Sequence, residues 1–463
     1  MSDAMPADDR ATDALRDVLI IGYHFPPDAS AGALRWQKFA KYLPDHGYRP
    51  HVLTIPERDV AARDDSRLAD VRAAEVHRTA AFPNPREAAL RSRAALLRLF
   101  GRQATLQRFE QADARLSFAE KDRAANDRLA SARRALLSLC WLPDAHLGWL
   151  PPAFWRGVSL CRRRRFTAMI SSGPPHTAHL VGLALKRACH VRWLADFRDP
   201  WTTNPGKPAF VRSALSDRLE TAMERAVVRA ADRVIAVNDR LRESLARAHA
   251  PEPASKFVTI ANGFDGLEMA TLPAAEPTDV FTITHVGTLY YRRSPLGVLR
   301  AVASLIEERT VARQDIRVRF IGATADGNHV EDVVAALGLG AVVETQGPVP
   351  HPQALAAMRG SDLLLLLAQG QPDQIPAKAF EYLAAGPPTL AITEDGATAD
   401  LIHASGGVVC ADDPQQIRTA LLEALHRRRD MGKDSATDRQ RIAAAYDHRR
   451  LVVDLAALLN GQC

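Results

Sequence analysis

At 463 residues the chain is too long for one ordinary α/β domain and fits two of roughly 200 residues each. Hydrophobic residues at 47% and charged residues at 25% supply two cores and exclude a largely disordered chain. The net charge of +6 is matched by residues 86–140 alone, where twelve Arg or Lys face six Asp or Glu, so the basic surplus is local.

Residues 17–22, DVLIIG, form the continuous apolar run of a strand covered on both faces. A loop with Pro26, Pro27 and Gly32 leads to a helical pattern over 34–43, ended by Pro44 and Gly47, and an apolar strand resumes at 51–55. Together they make a βαβ unit. Residues 86–139, rich in Ala, Leu and Arg, read as helices inserted into the α/β order. Strands follow at 168–171 and 191–196 with a helix at 177–187 between them, then a helix at 213–231 and strands at 233–237 and 257–260. The proline-bearing stretch 271–279 marks the connection to a second half, which restarts at Phe281 with FTITHVG. There the strands are expected at 316–321, 342–345, 363–368, 388–392 and 407–410, with a last helix at 449–459. The predicted organisation is a Rossmann-like domain over 1–260 with its insertion at about 86–140, a second over 261–440, and a terminal segment 441–463 that packs back on the first.

The five cysteines, Cys140, Cys161, Cys189, Cys410 and Cys463, are scattered and lack metal-ligand spacing, which fits a reducing compartment. Residues 1–16 are polar and acidic, unlike a signal peptide, and no run approaches the ~20 apolar residues of a membrane span. A cytoplasmic protein is expected, touching membrane only at its surface. The basic insertion is the candidate for that contact with anionic lipid; a solvated helical face is the competing reading. Nucleic acid is not an expected partner, because aromatics do not interleave with the basic residues.

The C-terminal half carries the most chemistry. Residues 373–386 read DQIPAKAFEYLAAG, with Pro376 placed to open a helix and Gly386 to stop it. Free N–H groups at such a start attract phosphate. Asp373 and Glu381 are eight residues apart, about 80° of rotation on a continuous helix, so a loop before the helix must bring them to one ligand. Glu381 can accept from a ribose diol, and Lys378 adds a cation beside a phosphate. A capping aspartate and a surface glutamate explain the same pair structurally. At the first strand of this half, Gly287 lets a nucleotide approach the backbone, and Arg292 or Arg293 can neutralise a diphosphate.

The spacing of Asp373 and Glu381, with the surrounding IPAKAFEYLAAGPPTLAI, resembles the Glu-x7-Glu motif of the retaining glycosyltransferases of family 4. That resemblance implies a GT-B fold: two doubly wound parallel-sheet domains facing a central cleft. It assigns Glu381 to the ribose and Asp373 to the hydroxyls of the donor sugar, with Asp departing from the usual Glu. Thr288 stands where the family often has Arg, which moves the phosphate role to Arg292 or Arg293. In the first half, GYHFPPDASAG (22–32) resembles the family's loop against the donor phosphate, with Gly32 the residue carried over. A ligand-free tight turn is the alternative.

Two further strand ends face the cleft. ISSGPPHTAHL (170–180) offers His176 for proton transfer and His179 for acceptor binding, against the reading of packed core histidines. ADFRDPW (195–201) offers Asp199 to an acceptor hydroxyl beside Arg198, against a structural Asp–Arg pair. Both segments resemble a bacterial surface-polysaccharide subgroup of the family, and Asn262 to Asp265 resembles its interdomain turn. The resemblance implies transfer from a nucleotide sugar to a glycan or lipid-linked acceptor, with no metal and no separate cofactor. A nucleotide-sugar epimerase or hydrolase of the same fold, and a catalytically silent binding protein, remain alternatives at this stage.

Overall fold

A computed structural model describes residues 15–83, 138–139, 141–204, 207, 212–273, 278–289, 293–324, 330–429 and 441–461. Nearly all of the insertion expected at 86–140 lies outside them. The N-terminal half runs β1 (Arg16–Gly22), α1 (Ala31–Tyr42), β2 (Tyr48–Thr54), β3 (Glu75–Arg78), α2 (Leu150–Arg163), β4 (Ala168–Gly173), α3 (Thr177–Cys189), β5 (Trp193–Phe197), α4 (Ala214–Ala230), β6 (Arg233–Ala236), α5 (Asp239–Ala248), β7 (Phe257–Thr259) and α6 (Gly266–Ala270). The second half continues with β8 (Phe281–Val286), α7 (Leu296–Glu307), β9 (Ile316–Ile321), α8 (Val330–Ala336), β10 (Val343–Gln346), α9 (His351–Arg359), β11 (Leu363–Leu367), α10 (Lys378–Ala385), β12 (Thr389–Ile392), α11 (Ala397–Ala404), β13 (Val408–Cys410), α12 (Pro414–Arg429) and α13 (His448–Leu459).

Each half is a parallel sheet. The first has seven strands in the order β3-β2-β1-β4-β5-β6-β7, the second six in the order β10-β9-β8-β11-β12-β13. Strand β3, EVHR, was not anticipated, because its four residues are polar or half-buried and lie at a sheet edge. Alternate residues of β1 feed two cores: Leu19 and Ile21 on one face, Val18 and Ile20 on the other. The second face is closed by α13, whose Leu451, Val452, Leu455, Leu458 and Leu459 are buried there. The chain therefore crosses between halves twice, and the crossings pair. The Phe264 amide donates to the Tyr446 carbonyl at 3.1 Å, and the His448 amide to the Phe264 carbonyl at 2.9 Å.

Helix α1 ties the first crossing to the N-terminal sheet through buried charge. Arg35 grips Asp196 with Nη2–Oδ1 at 3.0 Å and also donates to the carbonyls of Ile260 and Ala261 at 2.8 and 2.6 Å. One and two turns on, Lys38 and Lys41 reach Asp265 at 3.1 and 2.6 Å, and Tyr42 Oη donates to it at 2.6 Å. Burial disfavours the Asp265 charge, but Lys38, Lys41 and Tyr42 outweigh it and hold the carboxyl well below the usual range. Ions this deep are favourable only when fully partnered.

Strand order reverses between β1 and β4, and again between β8 and β11. In a doubly wound sheet the loops diverge at such a point and leave a crevice beyond the strands' carboxyl ends. Here the two crevices meet.

Candidate active site

The shared crevice is a cavity of about 1060 Å³, lined from the N-terminal half by His24, Ser30, Gly32, Arg35, Asp144, His176, Arg198, Asp199, Trp201 and Lys207, and from the other by Arg293, Thr324, Gln371, Gln374, Ile375, Pro376 and Ala377. That volume suits a ligand the size of a nucleotide sugar. Two helices point their starts into it. Ser30 precedes α1 and Ala377 precedes α10, and neither helix start has a side-chain cap. Residues 30–32 and 375–377 line the cavity, which sets the positive ends of two helix dipoles beside it. By contrast, the start of α3 is closed within the protein: Asp144 accepts from the Thr177 amide and hydroxyl, both at 2.8 Å.

On the N-terminal side, Arg198 clamps the loops after β1 and β4, donating to the carbonyls of Gly32, at 2.7 Å, and Pro174. His176 stacks flat on Trp201, centroids 4.6 Å apart, and its Nδ1 has no hydrogen-bond partner. Burial, with His179, Arg198 and Lys207 near, lowers its pKa well below the ordinary value, so the ring is neutral. Asp199 accepts from Gln374 Nε2 across the cleft at 2.9 Å. Burial raises its pKa against the opposing pull of Arg198, Gln374 and Arg293. Arg293 in turn donates to Gln371 at 2.8 Å.

Of the residues singled out from sequence, Gly32, His176, Arg198, Asp199 and Arg293 line this cavity. His179 does not: it is fully buried, bonded to Ser171 at 2.8 Å and stacked on Phe197, because one helical turn carries it from the cleft edge into the core. The acceptor contact expected of it is therefore corrected to a packing role. Asp373 also stands off the lining. Its neighbours Gln371 and Gln374 take the cleft side of the turn, while the Asp373 carbonyl is held by Asn238 at 2.9 Å. Glu381 is buried in a side pocket of about 10 Å³ with Lys38, Glu268 and His351, room for about one water. His351 Nε2 lies 3.5 Å from its carboxylate, and burial raises its pKa. Lys378 lies against Gly287, where an added Cβ would sit 1.2 Å from Nζ. Gly287 needs no side chain for a second reason, its φ of +131°. Arg292 falls outside the described residues.

Sequence reasoning missed His24, Asp144, Trp201, Lys207, Gln371 and Gln374. The loops of His24, Trp201 and Gln374 were in view, but nothing along the chain shows which side of a loop turns inward; Asp144, Lys207 and Gln371 lie in stretches that carry no motif. A separate group, His51, Glu75 and His77, brings ligand atoms within 4.8 Å of one another. Arg156 and Arg164 already contact His77 and Glu75, which disfavours a dication there.

Two parallel-sheet Rossmann-like domains that close on one anion-attracting cleft define a GT-B glycosyltransferase scaffold. Residues 273–444 match the family described as glycosyl transferases group 1, and residues 104–263 match the glycosyl transferase 4-like domain. The chain belongs to the family 4-like glycosyltransferases of the GT-B fold. D-inositol 3-phosphate glycosyltransferase 2 of Catenulispora acidiphila is 28% identical over 255 residues, 50% of this chain and 59% of that protein. The chain thus spans just over half the length of the curated relatives it matches. Among solved structures, Alr3699/HepE of Anabaena in complex with UDP aligns with a TM-score of 0.63 at 13% identity, covering 96% of this chain and 100% of that one. Sucrose-phosphate synthase of Thermosynechococcus elongatus aligns with a TM-score of 0.63 at 15% identity, covering 96% and 99%. No helix of the described residues is long and apolar enough to cross a membrane.

Proposed function

We propose that the protein transfers a sugar, with retention and without a metal, from a nucleotide-sugar donor to a hydroxyl of a glycan or lipid-linked acceptor. The observation that carries this reading is the convergence of two uncapped helix starts, α1 and α10, on one cavity that also holds Arg198 and Arg293. Such a cradle stabilises a diphosphate both as bound donor and as leaving group. Closure of the halves excludes water and aligns the acceptor hydroxyl with the anomeric carbon. The UDP in Alr3699/HepE supports a uridine donor, and the inositol-phosphate relatives support a hydroxyl acceptor. Glu381 is assigned to the ribose, which requires His351 to yield the small pocket they share.

A membrane-borne acceptor in surface-polysaccharide assembly is supported by the flank of the cleft domain. Trp155 on α2 is 68% exposed, and Arg162, Arg163 and Arg165 are exposed beyond it. An aromatic ring with a basic cluster suits an anionic interface. Asp373 is not among the residues that line the cavity, which favours a second reading, a catalytically silent binding protein; a nucleotide-sugar hydrolase or epimerase of the same fold is the other alternative. Titration calorimetry with UDP-, GDP- and ADP-hexoses, followed by turnover with and without acceptor in chelator, separates these readings. Heat with none of the donors removes the transferase reading; turnover equal without acceptor selects hydrolysis or epimerisation.

A further inference from the structure

On the C-terminal side, part of the cavity wall is a short turn, residues 371–374, built onto the start of α11. The Pro372 carbonyl accepts from the Ala397 amide at 2.7 Å, and the Gln374 carbonyl from the Thr398 hydroxyl at 2.8 Å. The fit is close: a Cβ on Gly396 would lie 2.6 Å from the Pro372 oxygen. Turn and helix start form one packed block. Three side chains from beyond the ends of β5 and β6 hold that block to the N-terminal half. Asn238 donates from Nδ2 to the Asp373 carbonyl at 2.9 Å, Asp199 accepts from Gln374 at 2.9 Å, and Arg240 reaches Asp395 at 3.2 Å and Asp400 at 2.6 Å. Asn238 differs from the other two. It is buried, and its Oδ1 caps α5 by accepting from the Leu241 amide at 2.8 Å. With the oxygen held, the plane of the carboxamide is set and so is the direction of its N–H groups. Its bond lands on the main chain, so it places the turn itself rather than one side chain of it.

We propose that Asn238 is a positioning residue for the transfer, which seats the turn 371–374 against the N-terminal half only when the two halves are shut. This rests on the glycosyl-transfer reading above. All three contacts span the halves, so they form together as the cleft closes and break together as it opens. Opening takes the acceptor from a buried amide, which makes the Asn238 bond costly to leave unmade. The exposed Arg240 pairs are screened by salt and re-solvated with little loss. The stretch of wall that Gln374 supplies is thereby completed by closure itself, and turnover is confined to the shut state. Lys378 and Gly287 meet within the C-terminal half and do not use this bond, so a donor can dock before the clasp is made.

Asn238→Asp separates placement from folding. An aspartate caps a helix about as well as an asparagine, but it has no N–H to give and sets a carboxylate against the Asp373 carbonyl. The thermal midpoint is therefore expected to hold, whereas Asn238→Ala, which loses cap and bond together, lowers it. In the ligand-free full chain, small-angle scattering should give Asn238→Asp a larger radius of gyration than the wild type. With UDP-glucose, with and without myo-inositol 3-phosphate, UDP release should show kcat lowered at least about tenfold, while the calorimetric donor Kd stays within about threefold. An Asn238→Asp protein with wild-type dimensions, or with kcat within about threefold, overturns the assignment. So does a loss of donor affinity as large as the loss in kcat, which would make Asn238 a donor contact. Wild-type protein that binds no nucleotide sugar sinks the transfer reading instead; the clasp is then judged by scattering alone, where unchanged dimensions sink it too.

Discussion

Lys378 offers a quantitative test of the donor site. Its Nζ lies against the Gly287 backbone, and burial, with the Arg293 charge acting in the same direction and Glu381 against it, lowers its pKa to about 8. The ammonium is charged below that value and neutral above it. A diphosphate favours the charged form, so affinity is greatest below pH 8 and falls as the pH rises through it. With a pKa of about 8, roughly ten elevenths of the free protein is charged at pH 7 and one eleventh at pH 9. If the bound-state pKa is about 10 or more, the dissociation constant rises about tenfold between those pH values, about 1.4 kcal/mol. UDP-glucose suits the assay, because its diphosphate is esterified at both ends and does not titrate in this window. Calorimetry at the two pH values should show the rise. Lys378→Met should remove it and weaken binding at pH 7 by about 1.5–3 kcal/mol, the range of a charge-assisted bond. A wild-type constant that moves less than about twofold, or a Lys378→Met variant that keeps the full slope, refutes the reasoning.

Gly287→Ala meets both a left-handed φ and the Lys378 ammonium, so it should abolish donor binding measured by calorimetry while the thermal midpoint falls only modestly. Glu381→Ala should weaken the same binding by about 2 kcal/mol through loss of the ribose contact, with unchanged affinity in a folded variant counting against that contact. Asp196→Ala strips Arg35, Trp36 and Ser172 of a shared acceptor and leaves a buried guanidinium uncompensated; urea unfolding should show a loss of about 3–5 kcal/mol. Arg240 pairs across the domains with Asp395 and Asp400 at the exposed rim, so Arg240→Ala should increase the radius of gyration by small-angle scattering in low salt and have little effect in high salt.

The strands were legible where both faces are buried. LLLLL at β11 can hardly be anything else, whereas EVHR at β3 carries no such pattern. The cavity residues found from sequence, Gly32, His176, Arg198, Asp199 and Arg293, were found by place: a doubly wound sheet gathers ligands at its strand ends. What escaped was pairing over long sequence distance. Arg35 meets Asp196 161 positions away, and Gln374 meets Asp199 175 positions away. Along the chain, Lys38 and Lys41 look like a solvated helix face, and only the docked interdomain turn makes them buried partners of Asp265. Asp373 and Glu381 had motif spacing, but spacing is silent about the Asn238 bond to the carbonyl of the first and the His351 ring that walls in the second.

The paired crossings at Phe264 and Tyr446–His448 give the molecule two pins on one short line rather than a single flexible tether. Relative motion of the halves is thereby steered toward rotation about that line, which opens and shuts the far rim while scarcely displacing the pins. The tail segment also doubles as the lid of the first domain's second core, so trimming it would loosen the pivot and bare Val18 and Ile20 in one stroke.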